Sequence, residues 1–219
     1  MFKYSKNTII LYQIDYNKMQ IKKIQVEIMN IFRRNIFLSK TIREISIIAK
    51  KDYPNIFNAV KELSERNIIK IRKVGKSNLC EISLSKASIS FLSYLDEQEA
   101  LSIKIPLLYK ILEFKEFLDD IILVTGSYAK KKETKESDID LVFITKNNAF
   151  NKQKLLNNLT SLFLPKYHVI VITYKDFIDM LLNNELNFGN EIFNNKLLFR
   201  GAERYYELLK EAKEHGFRG

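Results

Sequence analysis

Two acidic residues, Asp138 and Asp140, stand at the head of an apolar run, Leu141–Ile144, and a Gly-Ser pair, Gly126-Ser127, follows an earlier run, Ile121–Val124. Read as short buried strands, the runs place Asp138 and Asp140 on one face of the second strand, about 7 Å apart, because alternate strand residues share a face. Carboxylates that close repel one another, and a divalent cation removes the repulsion; hard Mg²⁺ prefers oxygen ligands. Ser127-Tyr128-Ala129-Lys130 can open a helix, so Gly126 and Ser127 offer backbone N–H groups and a hydroxyl to an anion such as phosphate. A phosphate cradle beside a carboxylate pair is the layout for Mg²⁺-dependent phosphoryl or nucleotidyl transfer.

The stretch GSYAKKKETKESDIDL resembles the nucleotidyltransferase signature of the DNA polymerase β superfamily in its minimal branch: Gly-Ser, a spacer, then Ser-Asp-x-Asp-Leu. The resemblance implies that Gly126, Ser127 and Ser137 bind a nucleoside triphosphate, with ATP expected. It implies that Asp138 and Asp140 are catalytic and hold Mg²⁺, with room for two ions. One departure is visible: the family usually carries a glycine two residues after the alanine, and Lys131 stands there. A second concerns the third strand. Active members carry a third carboxylate on it, whereas KYHVIVIT places His168 at that position. Three outcomes stay open. His168 acts as general base; another acid, with Asp176 the candidate, reaches the site; or chemistry is lost and the domain only binds nucleotide or a partner. Similar minimal proteins act as antitoxins that nucleotidylate a HEPN-type toxin, so a protein acceptor enters by resemblance.

The composition fits an intracellular globular protein of one or two domains. There is one cysteine, Cys80, ruling out an internal disulfide framework, and two histidines, too few with it for a closed zinc site. No apolar run approaches membrane-span length and the N-terminus lacks a signal-peptide core, so the expected location is cytoplasmic, with no membrane partner. The net charge of +10 is uneven. Residues 1–90 hold 18 Lys and Arg against 7 Asp and Glu, whereas residues 91–219 hold 18 against 19. An asymmetry of this kind points to a polyanionic partner for the N-terminal part.

The elements that must position these groups follow from periodicity and capping. Thr8–Tyr16 reads as a strand or short arm. Ile21, Ile24, Ile28 and Ile31 repeat at helical spacing to about Asn35. Thr41–Glu44 is a capping box, with Ile42, Ile45 and Ile48 on one face behind it. Asp52–Pro54 opens a third helix bearing Ile56, Ala59, Val60 and Leu63, with Asn67 as a left-handed stop. Two alternating runs, Ile69–Arg72 and Cys80–Leu84, then form a hairpin with a basic tip. Ser85 caps a connecting helix, and Asp96–Ser102 reads as a joint. Beyond it helices and strands alternate: a helix after Pro106, the two runs above, helix 151–163, strand 166–173, and helices 177–182, 191–198 and 203–215.

Three helices and a hairpin resemble a winged helix-turn-helix. That reading puts Tyr53, Asn55, Asn58 and Lys61 in a DNA major groove and Lys70, Arg72, Lys73 and Lys76 of the wing on phosphates. The expected architecture is therefore α+β: a winged helix-turn-helix at 1–95, then a small mixed-sheet nucleotidyltransferase fold at 96–219. The expected function is nucleotidyl transfer from an NTP to an acceptor hydroxyl by a DNA-binding, dimer-capable protein. The alternative is a DNA-binding regulator or antitoxin whose second domain binds nucleotide without efficient catalysis.

Overall fold

A computed structural model describes residues 21–183 and 185–219; the arm expected at Thr8–Tyr16 lies outside them. The fold is α+β. Its N-terminal part holds α1 (Lys23–Arg33), a two-residue strand β1 (Lys40–Thr41), α2 (Ile42–Ala49), α3 (Tyr53–Glu65) and the hairpin β2 (Ile69–Val74) and β3 (Ser77–Ile82). The three strands order as β1-β3-β2, all antiparallel. Local chemistry explains the boundaries. Thr41 accepts from the Glu44 backbone N–H while Glu44 reaches back to Thr41, closing the capping box. Asn67 takes φ +55 after α3, and Gly75 takes φ +58 in the two-residue hairpin turn.

Two faces differ from the periodic reading. On α2 the buried positions are Ile42, Ile45 and Ser46, while Ile48 is about half exposed. On α1 the buried stripe runs through Gln25, Ile28, Met29 and Phe32 rather than through Ile21, Ile24 and Ile31. Gln25 is tolerated there because its side-chain amide donates to Glu62 and its carbonyl accepts from the Lys22 N–H.

The second part begins with α4 (Lys86–Ser102), capped by Ser85. This helix runs unbroken through the expected joint, because the acids of that stretch are partnered: Asp96 accepts from Arg33 at 2.8 Å and from the Tyr206 hydroxyl. There follow α5 (Leu108–Leu112), a 3-10 turn (Lys115–Phe117), β4 (Ile121–Val124), α6 (Gly126–Ala129), β5 (Ile139–Thr145), α7 (Ala149–Thr160), β6 (Tyr167–Thr173), α8 (Tyr174–Leu182), α9 (Phe188–Asn194), β7 (Leu197–Arg200) and α10 (Ala202–Glu214).

The four strands order as β6-β5-β4-β7, with β5 and β6 parallel and the other pairs antiparallel, a small mixed sheet. It separates two apolar clusters by strand alternation. Ile121, Leu123, Val142 and Ile144 face one, Ile122, Val124, Leu141 and Phe143 the other. The first cluster is continuous from Ile28 of α1 through Phe91 of α4 to Tyr205 of α10, so the N-terminal helices and the sheet share a core. The sequence reading of 191–198 as one helix fails at its end: Leu197 and Leu198 pair with β4 as the edge strand. Gly201 makes the return possible, since it takes φ +73 with its would-be Cβ 3.0 Å from the Ile121 Cα.

Candidate active site

One end of the four-stranded sheet gathers the residues expected to do chemistry. β5 and β6 start there, β4 ends there in Thr125 and Gly126, and β7 starts there. Thr125 is buried and its hydroxyl donates to the Asn195 carbonyl, tying the exit of β4 to the loop before β7. Gly126 turns the chain at φ +67 and opens α6. α6 is a single turn of four residues, so any anion affinity there comes from its first N–H groups and the Ser127 hydroxyl rather than from a macrodipole.

Asp140 lies against this turn. A Cβ on Gly126 would stand 2.0 Å from Asp140 Oδ2, so the Asp140 side chain fills the space that any other residue at 126 would need. Parallel pairing of β5 and β6 puts His168 directly beside Asp140, with Nδ1 3.3 Å from Oδ1. A carboxylate only accepts, so the contact is a hydrogen bond in the tautomer that carries the hydrogen on Nδ1, which leaves the Nε2 lone pair outside it. His168 is 66% exposed and Asp140 35%. Asp138 is exposed and sits one residue before β5 begins, on the same alternation as Asp140.

Gly126, Ser127, Asp138, Asp140 and His168 therefore share one sheet end. Ser137 is nearby in the chain, but its hydroxyl is engaged within its own loop, accepting from the Thr134 N–H at 2.9 Å. Asp176 does not belong to the site. It lies in the first turn of α8, where it accepts from the Thr173 N–H and hydroxyl. Thr173 ends β6, five residues beyond His168 and so about 16 Å away at the far end of the strand. Those hydrogen bonds, the hydroxyl's first, hold the Asp176 carboxyl below its ordinary value.

The donor set suits Mg²⁺ in one particular way. Among the described residues no group of three or more His, Cys, Asp and Glu side chains gathers around a point. A cation would find the oxygens of Asp140 and Asp138, the former fixed by Gly126, and would need the remainder from phosphate and water. Mg²⁺ binds in that way, with one or two carboxylates plus substrate phosphates.

Lys130 escaped the sequence reading, and Lys131 entered it only as a departure from the expected glycine. Lys130 follows Ser127 by one helical step of three, which puts it on the same side of α6, and its ammonium lies 3.2 Å from Glu191. Lys131 takes φ +53, a left-handed conformation that glycine adopts most readily, and its ammonium lies 3.0 Å from Glu99 of α4. The visible signal was the missing glycine.

The residues expected on DNA are elsewhere. Tyr53, Asn55, Asn58 and Lys61 are all exposed on one side of α3, and Lys70, Arg72, Lys73 and Lys76 are exposed on the hairpin. Tyr53 stacks on Phe57, which is also exposed. Arg72 is paired to Glu81 at 3.5 Å and Lys61 to Glu65 at 4.0 Å. No helix among the described residues is long and apolar enough to cross a membrane.

Residues 107–190 match the family model for a nucleotidyltransferase domain. The match runs from α5 into α9 and takes in the Gly-Ser turn, both aspartates and His168; β7, α10 and the whole N-terminal part lie outside it. No curated protein matches the chain.

Proposed function

We propose that the nucleotidyltransferase domain at residues 107–190 is active and Mg²⁺-dependent, moving a nucleoside monophosphate from an NTP, ATP first, to an acceptor hydroxyl. We propose further that the N-terminal part is a winged helix-turn-helix that docks the enzyme on DNA. The observation that carries the first reading is the contact between the Gly126 turn and Asp140, with His168 in register beside it.

Each residue has a task on this reading. The first N–H groups of α6, the Ser127 hydroxyl and the Lys130 ammonium receive the triphosphate. Asp140 and Asp138 would hold Mg²⁺, which neutralises phosphate charge and orients the α-phosphorus. The acceptor oxygen attacks that phosphorus, the bond to the β-phosphate breaks and pyrophosphate leaves. His168, oriented by its Nδ1–H on Asp140, takes the acceptor proton at Nε2. Incubation with labelled ATP, Mg²⁺ and cell extract tests this: wild type should label an acceptor and Asp140→Asn should not.

A second reading is favoured by one residue. His168 stands where the resemblance leads one to expect an acid, and imidazole is a poor Mg²⁺ ligand. A DNA-binding regulator that senses nucleotide without turning it over would bind Mg²⁺-ATP, label nothing and change its DNA affinity on binding.

A further inference from the structure

The Gly126-Ser127 turn is held at its far end by a Schellman motif built on a lysine. The Lys132 N–H donates to the Ser127 carbonyl at 3.0 Å and the Lys131 N–H to the Tyr128 carbonyl at 3.2 Å, while Lys131 takes φ +53. A side chain in that conformation costs about 1 kcal/mol or more relative to glycine. Strain of this kind persists only where the surroundings hold it. Here the surroundings are ionic. Lys131 Nζ lies 3.0 Å from Glu99, and Glu99 also accepts from Arg33 of α1 at 2.8 Å. Arg33 in turn binds Asp96 at 2.8 Å, and Asp96 takes the Tyr206 hydroxyl. Arg33 and Asp96 are mostly buried, so this end of the chain of charges is fixed. Burial works against charge on Glu99, but the hydrogen bond from Lys131 and the charges of Arg33 and Lys131 outweigh it and hold its carboxyl below the ordinary value.

We propose that Lys131 and Glu99 are positioning residues for the nucleotide turn, through which helices α1 and α4 set where Ser127 presents its hydroxyl and N–H to a triphosphate. The inference rests on the nucleotide-binding reading above. It makes α1 and α4 part of the nucleotide site, although both lie outside the matched residues. The alternative is that Lys131 binds phosphate itself, with Glu99 as a resting partner. The two differ in sign at Glu99. A positioning pair is lost in Glu99→Gln, so affinity falls; a phosphate-binding lysine is released by it, so affinity rises.

The test is Mg²⁺-ATP binding by calorimetry on the full chain, with thermal melts alongside. Glu99→Gln and Lys131→Ala should each weaken binding about two- to fivefold, the span of a charge pair whose lysine is largely exposed, and the double variant should be no weaker than the worse single. Lys131→Arg should bind like wild type. Lys131→Gly should raise the melting temperature by relieving the left-handed strain and still weaken binding, which a purely structural role would not do. Tighter binding by Glu99→Gln, or unchanged binding by Glu99→Gln and Lys131→Gly, overturns the proposal while wild type still binds. Absence of binding by wild type overturns the nucleotide-site reading and the positioning role together.

Discussion

Gly126 and Asp140 are packed so closely that a methyl group on the glycine would stand 2.0 Å from the aspartate Oδ2. The two are brought together by the antiparallel pairing of β4 with β5, in which the Thr125 N–H donates to the Asp140 carbonyl at 2.9 Å. The glycine thus meets two demands at once, a positive φ and the room for a carboxylate.

Gly126→Ala should therefore cost stability and displace the acid together. The left-handed backbone alone costs about 1–2 kcal/mol in alanine, and the clash adds to it. Melts should show the loss, and Mg²⁺-ATP binding should fall with it. Asp140→Ala added to Gly126→Ala should recover part of the melting temperature but no binding, because it removes the clash and the ligand at once.

His168 separates the two functional readings. If Nε2 takes the acceptor proton, His168→Ala should slow labelling about 100-fold or more, within the usual range for a placed base, while leaving Mg²⁺-ATP binding nearly intact. If the chain is a sensor, wild type labels nothing, and His168→Asp, placed beside Asp140 by the strand register, should switch labelling on. Brisk wild-type labelling that ignores both substitutions would remove His168 from the reaction.

The placement of the carboxylates and the Gly-Ser turn at one sheet end was legible because local signals carry it: a period-2 pair at a strand start and a glycine where the chain must turn. The strand pairing that sets His168 against Asp140 is tertiary, yet its position on the third strand was readable from the apolar run. What escaped was governed by distant partners. Leu197-Leu198-Phe199 is too short a run for periodicity to separate strand from helix, and the decisive fact is the empty edge of β4 beside it. Ile48 continues an apolar stripe but is only half covered by the described residues, and Ser46 is buried instead with its hydroxyl on the Arg43 carbonyl. Asp96 and Glu99 look like a solvated linker until Arg33 and Lys131 arrive from elsewhere in the chain.

Among the described residues β6 is an edge strand, and Gln153 of α7 closes part of that edge. Its side-chain N–H donates to the Val169 carbonyl and its carbonyl accepts the Val171 N–H, both as a neighbouring strand would. Gln153→Leu should leave both backbone groups without these partners and cost about 1–3 kcal/mol. It should also promote self-association at the freed edge, to be followed by sedimentation across a concentration series.

Two capping-box acids should shape the acid limb of stability. Hydrogen bonds from Thr41 hold the Glu44 carboxyl below the usual glutamate range, and those from Thr173 hold the Asp176 carboxyl below the usual aspartate range. A carboxyl whose folded value is depressed stabilises the fold above its unfolded value and loses that contribution as pH falls through the folded one. The melting-temperature gap between wild type and Asp176→Asn should therefore be widest above the ordinary aspartate range and narrow as pH falls below it. A gap independent of pH over that range would deny the charge any part in the cap.

The hairpin carries the DNA reading. Lys70, Lys73 and Lys76 are exposed and form no ion pair among the described residues, while Arg72 is held by Glu81. Charges that neutralise phosphates release counterions, so each lost contact should reduce the slope of log affinity against log salt by about 0.9. Lys70→Ala with Lys76→Ala should thus weaken binding to every duplex and lower the slope by about 2 if both touch phosphate. Glu81→Gln frees Arg72 and removes a like charge from the DNA side, so it should tighten binding and steepen the slope. Fluorescence titrations of one labelled duplex at several salt concentrations read both effects. A slope that stays constant across all three substitutions would move the polyanion contact off the hairpin, with the α3 face of Asn55, Asn58 and Lys61 the next surface to substitute.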